Sequence, residues 1–316
     1  MVMNLFAARI FLWCFDRQVD SIRNPLMNTV YSAVQDENSP PIVSRRLGLD
    51  RARSVSMGLS VAIVAMNEEA NLGRTLDSVR WANEIIVVDS GSSDRTIDIA
   101  REYGAKVLLK AWPGFSPQKN FAFENCMQDW ILSLDADEVV TPGLAEEIQR
   151  VIRNPDALNG YWIPRKNLFL GKWTRFGGFY PDPKLRLFRR GRGFMTGAVV
   201  HEHIDLKPEF DQTTGRLKNP MVHYAYPTLS FYMAHMNSYS SLGAKAVVAK
   251  GFRGFSILDI VLRPIATFIY NYFFRLGFLD GREGLLLHLY HAVYVSNKYA
   301  KAWELTRAGS SEKEGP

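Results

Sequence analysis

Short apolar runs alternate with helical segments between residues 59 and 134, and this alternation restricts the possible folds more than any other feature of the chain. The runs are rich in Ile, Val and Leu, as expected of strands that are buried on both faces. Strands and helices in strict alternation predict an α/β fold with a mainly parallel sheet. The predicted strands are 59–65, 84–88, 106–109 and 130–134, and the predicted helices run from the Asn67 cap to about Trp81, from Arg95 to Tyr103 and from Pro117 to Met127.

Polar residues follow three of these strands where each strand ends. They are Asn67 to Glu69 after the first strand, Asp89 after the second, and Asp135 with Asp137 after the fourth. Ligands of parallel sheets bind outside the carboxyl ends of the strands, so the three groups predict one site at one rim. Paired carboxylates suit Mg²⁺ or Mn²⁺ completed by substrate phosphates and water. Alone, the Asp-x-Asp pattern would more simply indicate an acidic turn that caps the helix near Pro142, but the three groups together favour the metal site.

Composition and charge indicate the class of partner. The chain has 316 residues, 47% of them hydrophobic, and a formal net charge of +6. The positive charge favours anionic partners such as nucleotides, phosphorylated glycolipids or a membrane surface. Nucleic acid is not expected, because no recognition helix or aromatic–basic motif is found. The cysteines, Cys14 and Cys126, lie too far apart for a metal motif and favour a reducing cytosol, and no apolar run reaches the roughly 18 residues of a spanning helix.

The pattern divides the chain into four segments. Residues 1–56 consist of a short apolar start followed by a polar, aperiodic stretch. One interpretation is a loose extension, or a stretch that precedes the true start of the protein at Met57. The other is a helix docked on the domain. Residues 57–226 hold the alternating strands and helices. Residues 227–308 form a helical C-terminal region, and residues 309–316 a tail.

The second half of the 57–226 segment changes character. Short strands are predicted at 161–164, 184–189 and 198–204, either extending the sheet or forming a small antiparallel flap over the rim. A basic cluster accompanies them, and it is interpreted either as a solvated strand edge or as a phosphate-binding group. The cluster consists of Arg186, Arg189, Arg190 and Arg192.

A helical hairpin is predicted from 256–279 and 285–305 in the C-terminal region. Five polar residues recur every four positions in the first helix and form one stripe on an apolar, aromatic-rich surface. The hairpin is interpreted either as packed on the core or as lying in a membrane interface, with Lys298 and Lys301 on lipid phosphates. The residues of the stripe are Asp259, Arg263, Thr267, Asn271 and Arg275.

Three segments in this order resemble the family 2 glycosyltransferases, which have the GT-A fold. They are 61–69 (VAIVAMNEE), 85–96 (IIVVDSGSSDRT) and 130–138 (WILSLDADE), and the resemblance covers about 59–226. Shorter segments resemble the branch that contains the lipopolysaccharide core glucosyltransferases. These are Gln118-Lys119-Asn120, Leu185-Arg186-Leu187-Phe188 and Val200-His201-Glu202.

The resemblance implies a Rossmann-like, mainly parallel sheet flanked by helices, and a nucleotide-sugar donor. A nucleoside diphosphate leaves with concentrated negative charge, which a divalent cation neutralises. The resemblance implies that Asn67 and Glu69 line the nucleotide pocket and that Asp89 contacts the base or ribose. It implies that Lys119 lies near the donor. It also implies that Asp135 and Asp137 form the metal site, with Asp137 closest to the metal.

The catalytic base is less clearly marked than the metal site. The Glu-Asp base motif of many relatives is not evident, and His201-Glu202-His203 occupies the comparable region. Glu202 is the predicted base, and His201 replaces it if the strand register is reversed. His223, which follows the flap, is either a further metal ligand or a structural histidine.

The sequence therefore predicts an inverting glycosyltransferase that moves one sugar, glucose, from UDP-glucose to a lipid-linked saccharide such as the lipopolysaccharide inner core. The Gln-x-x-Arg-Trp motif of processive members is absent, so transfer of a single sugar is expected. Polyprenyl phosphate or another cell-envelope polysaccharide is the alternative acceptor. A non-catalytic nucleotide- or carbohydrate-binding protein is disfavoured by the retained acids. The predicted location is cytoplasmic and peripheral, on the inner face of the cytoplasmic membrane, whose anionic surface is an expected partner.

Overall fold

The computed structural model describes residues 57–197, 203–252 and 254–311, and the interpretations of residues 1–56 lie outside this range. Strands and helices alternate in the first part as predicted. The elements of this part are β1 (Leu59–Ala65), α1 (Leu72–Asp77), β2 (Glu84–Asp89), α2 (Thr96–Glu102), β3 (Lys106–Leu109), α3 (Phe115–Glu124), β4 (Trp130–Asp135), β5 (Glu138–Val140) and α4 (Pro142–Ile152).

Short strands and then helices make up the rest of the described chain. The strands are β6 (Gly160–Ile163), β7 (Arg165–Phe169), β8 (Lys172–Trp173), β9 (Lys184–Arg189), β10 (Gly193–Met195), β11 (Ile204–Leu206), β12 (Thr214–Arg216) and β13 (Met221–Tyr226). The helices are α5 (Leu229–Ala249), α6 (Arg263–Ile269) and α7 (Gly281–Ser311).

A seven-stranded sheet forms the centre of the fold, in the order β12-β6-β9-β4-β1-β2-β3. Strand β1 pairs in parallel with β2 and β4, and β2 pairs in parallel with β3. Strand β9 runs antiparallel to both β4 and β6. The mainly parallel α/β sheet flanked by helices is therefore confirmed. Two of the strands predicted for a flap, now β6 and β9, instead extend this sheet, which was the other possibility.

The central strands are apolar throughout because helices cover both faces of the sheet. In β1, Val61 and Ile63 are fully buried in a core that contains Leu72 of α1. The intervening Ala62 points the other way, into a core with Phe123 of α3. Alternate residues of one strand thus fill two separate cores, which explains why β1 shows no polar alternation.

A second, four-stranded sheet lies at the carboxyl end of β4, in the order β5-β13-β7-β8. Strand β13 pairs antiparallel with β5 and parallel with β7. This register places His223 opposite Glu138 on one side and Asn167 on the other. The small sheet therefore brings residues from three distant parts of the chain to the end of β4.

The first predicted helix differs from the structure at its start. Asn67 does not cap it, because α1 begins only at Leu72 and ends at Asp77. Asn67 has φ 56°, a left-handed conformation that asparagine tolerates better than most residues. Its side chain accepts a hydrogen bond from the Ser93 amide instead, so the residue joins two loops of the rim.

The C-terminal region contains three helices where a hairpin was predicted. Helix α5 was not predicted as a separate element, because its sequence mixes Ser, Tyr, Met and Ala without an apolar stripe. The predicted helix 256–279 is a shorter run in which π-helical turns at Leu258–Leu262 and Tyr270–Phe274 flank α6. No helix among the described residues is both long enough and apolar enough to cross a membrane.

Candidate active site

The loops that follow β1 and β2 are hydrogen-bonded to each other at the rim of the central sheet. The Asn67 amide donates to Oγ of Ser92 at 2.8 Å, and its side-chain oxygen accepts from the Ser93 amide at 2.9 Å. The carboxylate of Glu69 accepts from the Arg95 amide at 3.1 Å. Asn67 and Glu69 thus lie at the rim, and their side chains hold the two loops together. Contact with a nucleotide remains a prediction for both residues.

Asp89 is fully buried at the end of β2 and shapes the loop after it. Its Oδ1 accepts hydrogen bonds from the amides of Gly91 and Ser92, each at 2.8 Å. Its Oδ2 accepts from the Ser92 hydroxyl at 2.5 Å. Gly91 has φ 103°, a backbone conformation that residues other than glycine rarely adopt. Asp89 therefore fixes the loop that faces the rim, while its contact with a base or ribose stays a prediction.

Asp135, the last residue of β4, is held by two cations. Its Oδ1 lies 2.8 Å from Nζ of Lys119, and its Oδ2 lies 2.5 Å from the Arg186 guanidinium. Burial opposes ionisation, but Arg186 and then Lys119 outweigh it and hold the pKa of Asp135 well below its usual range. Lys119 is itself buried and also donates to the carbonyl of Leu134 at 2.6 Å. Lys119 thus supports the end of β4, and its predicted contact with the donor remains untested.

A buried ionic network fixes the strand end beneath this pair. Glu138 is fully buried and accepts from Arg186 at 2.7 Å and from Arg165 at 3.1 Å. The amide of Asp135 donates to the second Glu138 oxygen at 3.0 Å. Arg165 also pairs with Asp182 at 2.6 Å. Every carboxylate in the network has a cationic partner, as buried charge requires, so the backbone around Asp135 has little freedom to move.

Asp137 projects at the rim beside a histidine of the second sheet. Its Oδ2 lies 3.2 Å from Nε2 of His223. Nδ1 of His223 lies 2.8 Å from Oδ1 of Asn167, and the Asn167 amide nitrogen donates to Asp182 at 3.3 Å. Because Asp182 orients the Asn167 amide, the amide oxygen accepts from Nδ1–H of His223, which turns Nε2 of the ring towards the Asp137 carboxylate.

This pair has the donor set of a divalent-cation site. Among the described side chains, the charged contact of Asp137 is with His223, and no lysine or arginine pairs with it. Carboxylate oxygen and neutral imidazole nitrogen both ligate Mn²⁺, and a histidine whose other nitrogen is hydrogen-bonded is typical of metal ligands. The described residues hold no group of three ligating side chains, so Asp137 and His223 would fit a Mg²⁺ or Mn²⁺ ion whose other ligands are substrate phosphates and water. Asp137 is better placed than Asp135, which two cations already neutralise.

Several residues of the site were not identified from the sequence. Arg165, Asn167 and Asp182 come from β7 and from the segment before β9, and no local motif marks them. Arg186 was assigned to a basic cluster, but it is only 7% exposed, so its interpretation as a solvated edge is wrong. The cluster is dispersed in space, since Arg189 donates to the carbonyl of Ala157 and Arg192 stacks over Phe210. An arginine within the apolar run Leu-Arg-Leu-Phe was a usable signal, because such a charge needs a buried partner.

The predicted base lies outside the described residues. This applies to Glu202 and to its alternative, His201, and also to most of the predicted strand 198–204. The next residue, His203, is exposed, and its Nε2 lies 3.0 Å from Oδ2 of Asp205. The structure therefore leaves the assignment of the base as it was predicted.

Comparison with known proteins identifies the family. The sequence model described as "Glycosyl transferase family 2" matches residues 60–205. A glycosyltransferase of Rickettsia typhi is 31% identical over 258 residues, which cover 78% of this chain and 87% of that protein. The lipopolysaccharide core biosynthesis glycosyltransferase LpsC of Rhizobium meliloti is 30% identical over 257 residues, covering 78% of this chain and 92% of LpsC.

Solved structures resemble the chain only distantly. A glucosyl-3-phosphoglycerate synthase of Mycobacterium tuberculosis, solved with Mn²⁺, UDP and glucosyl-3-phosphoglycerate, is 22% identical, with a TM-score of 0.31 over 40% of this chain and 50% of that one. A likeness at this level carries no conclusion about activity. The sequence relatives do support a conclusion about activity, because their similarity extends over most of both chains. The protein is a glycosyltransferase and belongs to family 2.

Proposed function

We propose that the enzyme transfers a single glucose from UDP-glucose to a lipid-linked saccharide such as the lipopolysaccharide inner core, with inversion at the anomeric carbon. The observation that carries the proposal is the pairing of Asp137 with His223 at the rim, beside the loops after β1 and β2. A diphosphate leaving group needs its charge neutralised at such a position. The similarity to LpsC, whose name places it in lipopolysaccharide core biosynthesis, supports the acceptor.

In the proposed site, some residues bind the metal ion and others fix the positions of neighbouring side chains. Asp137 and His223 would bind Mg²⁺ or Mn²⁺, which supplies positive charge to the departing diphosphate. Asn167 orients the His223 ring so that Nε2 faces Asp137. Lys119 and Arg186 keep Asp135 ionised and in place. Glu202, or else His201, would accept the proton of the attacking acceptor hydroxyl from the opposite side.

A transfer assay tests the reaction and the acceptor. The purified protein is given a panel of nucleotide sugars together with truncated lipopolysaccharide cores or polyprenyl phosphate. We expect glucose to move from UDP-glucose to the core saccharide, one sugar for each acceptor, with the anomeric configuration inverted in the NMR spectrum of the product. Transfer to polyprenyl phosphate alone would replace the proposed acceptor. Donor binding without transfer to any acceptor would favour a non-catalytic protein.

We also infer that the enzyme acts at an anionic membrane surface through residues 257–279, which we call the apolar segment. Its two charged residues before position 275, Asp259 and Arg263, are buried and pair with each other at 2.7 Å. The large apolar side chains point outward with exposures between 39% and 68%. They are Ile257, Leu258, Val261, Leu262, Ile265, Ile269, Phe273, Phe274, Leu276, Phe278 and Leu279.

This arrangement reverses the usual orientation of a surface helix. The polar stripe faces inward and the apolar face is turned out, which suits a lipid surface better than water. Exposed basic side chains lie near both ends of the apolar segment, at Lys250 and Arg282, and can attract anionic headgroups. The lysines that were predicted to touch lipid phosphates do not support the proposal. Lys301 is bound by the side chain of Asn237 at 2.6 Å, and burial lowers the pKa of Lys298 to about 8.

We expect Ile265→Asp combined with Phe273→Asp to weaken binding to phosphatidylglycerol-containing vesicles by at least roughly a hundredfold. Each exposed apolar side chain contributes about 1.5–3 kcal/mol if it becomes fully buried, and a carboxylate adds a desolvation cost. Co-sedimentation with vesicles measures the effect. The matched control is Met127→Asp, which replaces an apolar side chain that is 66% exposed in the loop before the amino end of β4. Equal vesicle binding by both variants would show that the apolar segment does not contact lipid.

A further inference from the structure

Three aromatic side chains form a row along one face of α5. Phe231, His235 and Tyr239 recur every four residues, so they lie one above another on successive turns. The rings of Phe231 and His235 are nearly parallel, 9° apart, with centroids separated by 6.5 Å. The centroids of His235 and Tyr239 are 4.3 Å apart. Phe231 is 52% exposed and Tyr239 is 49% exposed, so the aromatic row presents its rings to solvent.

Phe231 and Tyr239 are about half exposed and contribute little to packing α5 on the protein, whereas the ring of His235 contacts Tyr226, with centroids 5.5 Å apart. The packing falls mainly to the neighbouring face of the helix, where Tyr232 is only 2% exposed and its ring meets Phe169 at 5.2 Å. The two rings of Phe231 and Tyr239 that stay about half exposed beside this face cost free energy in water. Their exposure therefore indicates a surface that is covered during function.

The aromatic row lies next to the active site. Strand β13 carries His223, the partner of Asp137, and ends at Tyr226, whose hydroxyl lies 3.4 Å from Nδ1 of His235. Burial and then His223 lower the pKa of His235, while Asp137 opposes the shift, so both residues act on the ring. The start of α5 lies close to the strand, because only Pro227 and the helix-capping Thr228, whose hydroxyl accepts from the Phe231 amide at 3.1 Å, separate the two elements.

The chemistry of these rings matches that of a saccharide. A pyranose presents C–H groups on its flat faces and hydroxyls around its edge, and the negative face of an aromatic ring attracts such C–H groups. The middle residue adds a polar contact, because no described residue hydrogen-bonds to Nε2 of His235. That nitrogen can form a hydrogen bond with a hydroxyl of a sugar that stacks on Phe231 or Tyr239.

We infer that Phe231, His235 and Tyr239 bind a sugar ring of the acceptor saccharide, one or two residues away from the sugar that is glycosylated. This inference rests on the proposed function, since it needs a saccharide acceptor. Binding energy gained at a remote sugar holds the acceptor hydroxyl near the donor. Longer acceptors should therefore be glycosylated more efficiently than single sugars. The aromatic row would thus select an oligosaccharide in preference to a simple polyprenyl phosphate.

The test uses a deacylated, lipid-free inner-core oligosaccharide, so that membrane binding plays no part. We expect Phe231→Ala and Tyr239→Ala each to raise the KM for this acceptor by roughly three- to tenfold, and the double variant by roughly ten- to a hundredfold. The KM for UDP-glucose should stay within a factor of about two. Phe231→Tyr keeps the stacking surface and should keep the acceptor KM. Met127→Ala, which removes an exposed apolar side chain before the amino end of β4, is the matched control.

Saturation-transfer NMR from the protein to the same oligosaccharide provides a readout that does not require turnover. The wild type should saturate one sugar ring strongly, and the double variant should lose that signal. An unchanged acceptor KM and an unchanged NMR signal in the double variant would overturn the inference, whether or not the aromatic row then affects vesicle binding. The proposed function fails separately, if the wild type releases no UDP and glycosylates no acceptor.

Discussion

Replacement of Asp137 by alanine is expected to lower kcat by roughly 10³-fold or more, in line with the loss of a major electrostatic contribution to the transition state. Two cations, Lys119 and Arg186, already neutralise Asp135. Among the described residues, Asp137 pairs with His223 and with no lysine or arginine. Its side chain is 25% exposed, so truncation leaves no closed cavity and the fold should persist. EDTA should inactivate the wild type in the same way, and added Mg²⁺ or Mn²⁺ should restore it.

Calorimetry separates the loss of the ion from other causes. In the presence of UDP, the wild type should bind Mn²⁺, and Asp137→Ala should bind it much more weakly while its melting temperature remains close to that of the wild type. Asp98→Ala is a suitable control, because this residue of α2 has a side chain that is 64% exposed and pairs only loosely, at 3.9 Å, with Arg101. Full activity of the wild type in excess chelator would disprove the metal assignment.

The central sheet and its rim were predictable because both depend on local patterns. Apolar runs such as 84–88 and 130–134, in alternation with helices, are typical of strands covered on both faces, and the carboxyl ends of parallel strands share an edge. That reasoning located Asp89, Asp135 and Asp137 correctly at the ends of β2 and β4. The geometry of parallel strands, rather than any single motif, made this prediction possible.

The ionic support of the rim was not predictable in the same way. Glu138 pairs with Arg165 and Arg186, which lie 27 and 48 residues further along the chain. Long-range pairs of this kind depend on how β7 and β9 are placed, and no spacing in the sequence encodes that placement. A charged residue in a buried strand shows only that a partner exists, and it does not show which residue the partner is.

The orientation of the apolar segment illustrates a different limit. Periodicity correctly placed Asp259 and Arg263 on one stripe, but a stripe does not reveal which side of a helix faces the protein. Inside the molecule, the two residues pair with each other, and the Ser296 hydroxyl donates to the carbonyl of Ile260 at 2.7 Å. Polar contacts of this kind draw the stripe inward and turn the apolar face out. The sequence therefore indicated an amphipathic helix, and only the structure showed that it is inverted.

Substitution of Glu202 by glutamine is expected to lower kcat by roughly 10²–10⁴-fold, the range typical of a lost general base. Inverting transfer needs the acceptor hydroxyl to lose its proton as it attacks the face opposite the leaving diphosphate. In the proposed site Asp137 holds the ion on the side of the leaving group, and Asp135 is neutralised by Lys119 and Arg186. The base must therefore come from the later half of the chain, where Glu202 is the carboxylate that the family resemblance places in the region of the base.

Glutamine preserves the size of Glu202 and part of its hydrogen bonding, so the KM for UDP-glucose should change little while kcat falls. The acidic limb of the pH–rate profile should flatten, because the group that titrates there has been removed. Formate should partly restore activity to Glu202→Ala by acting as an external base, and Glu209→Gln, at an exposed position of the same segment, should behave like the wild type. If Glu202→Gln keeps full turnover while His201→Ala loses it, the histidine is the base, as expected for the reversed strand register.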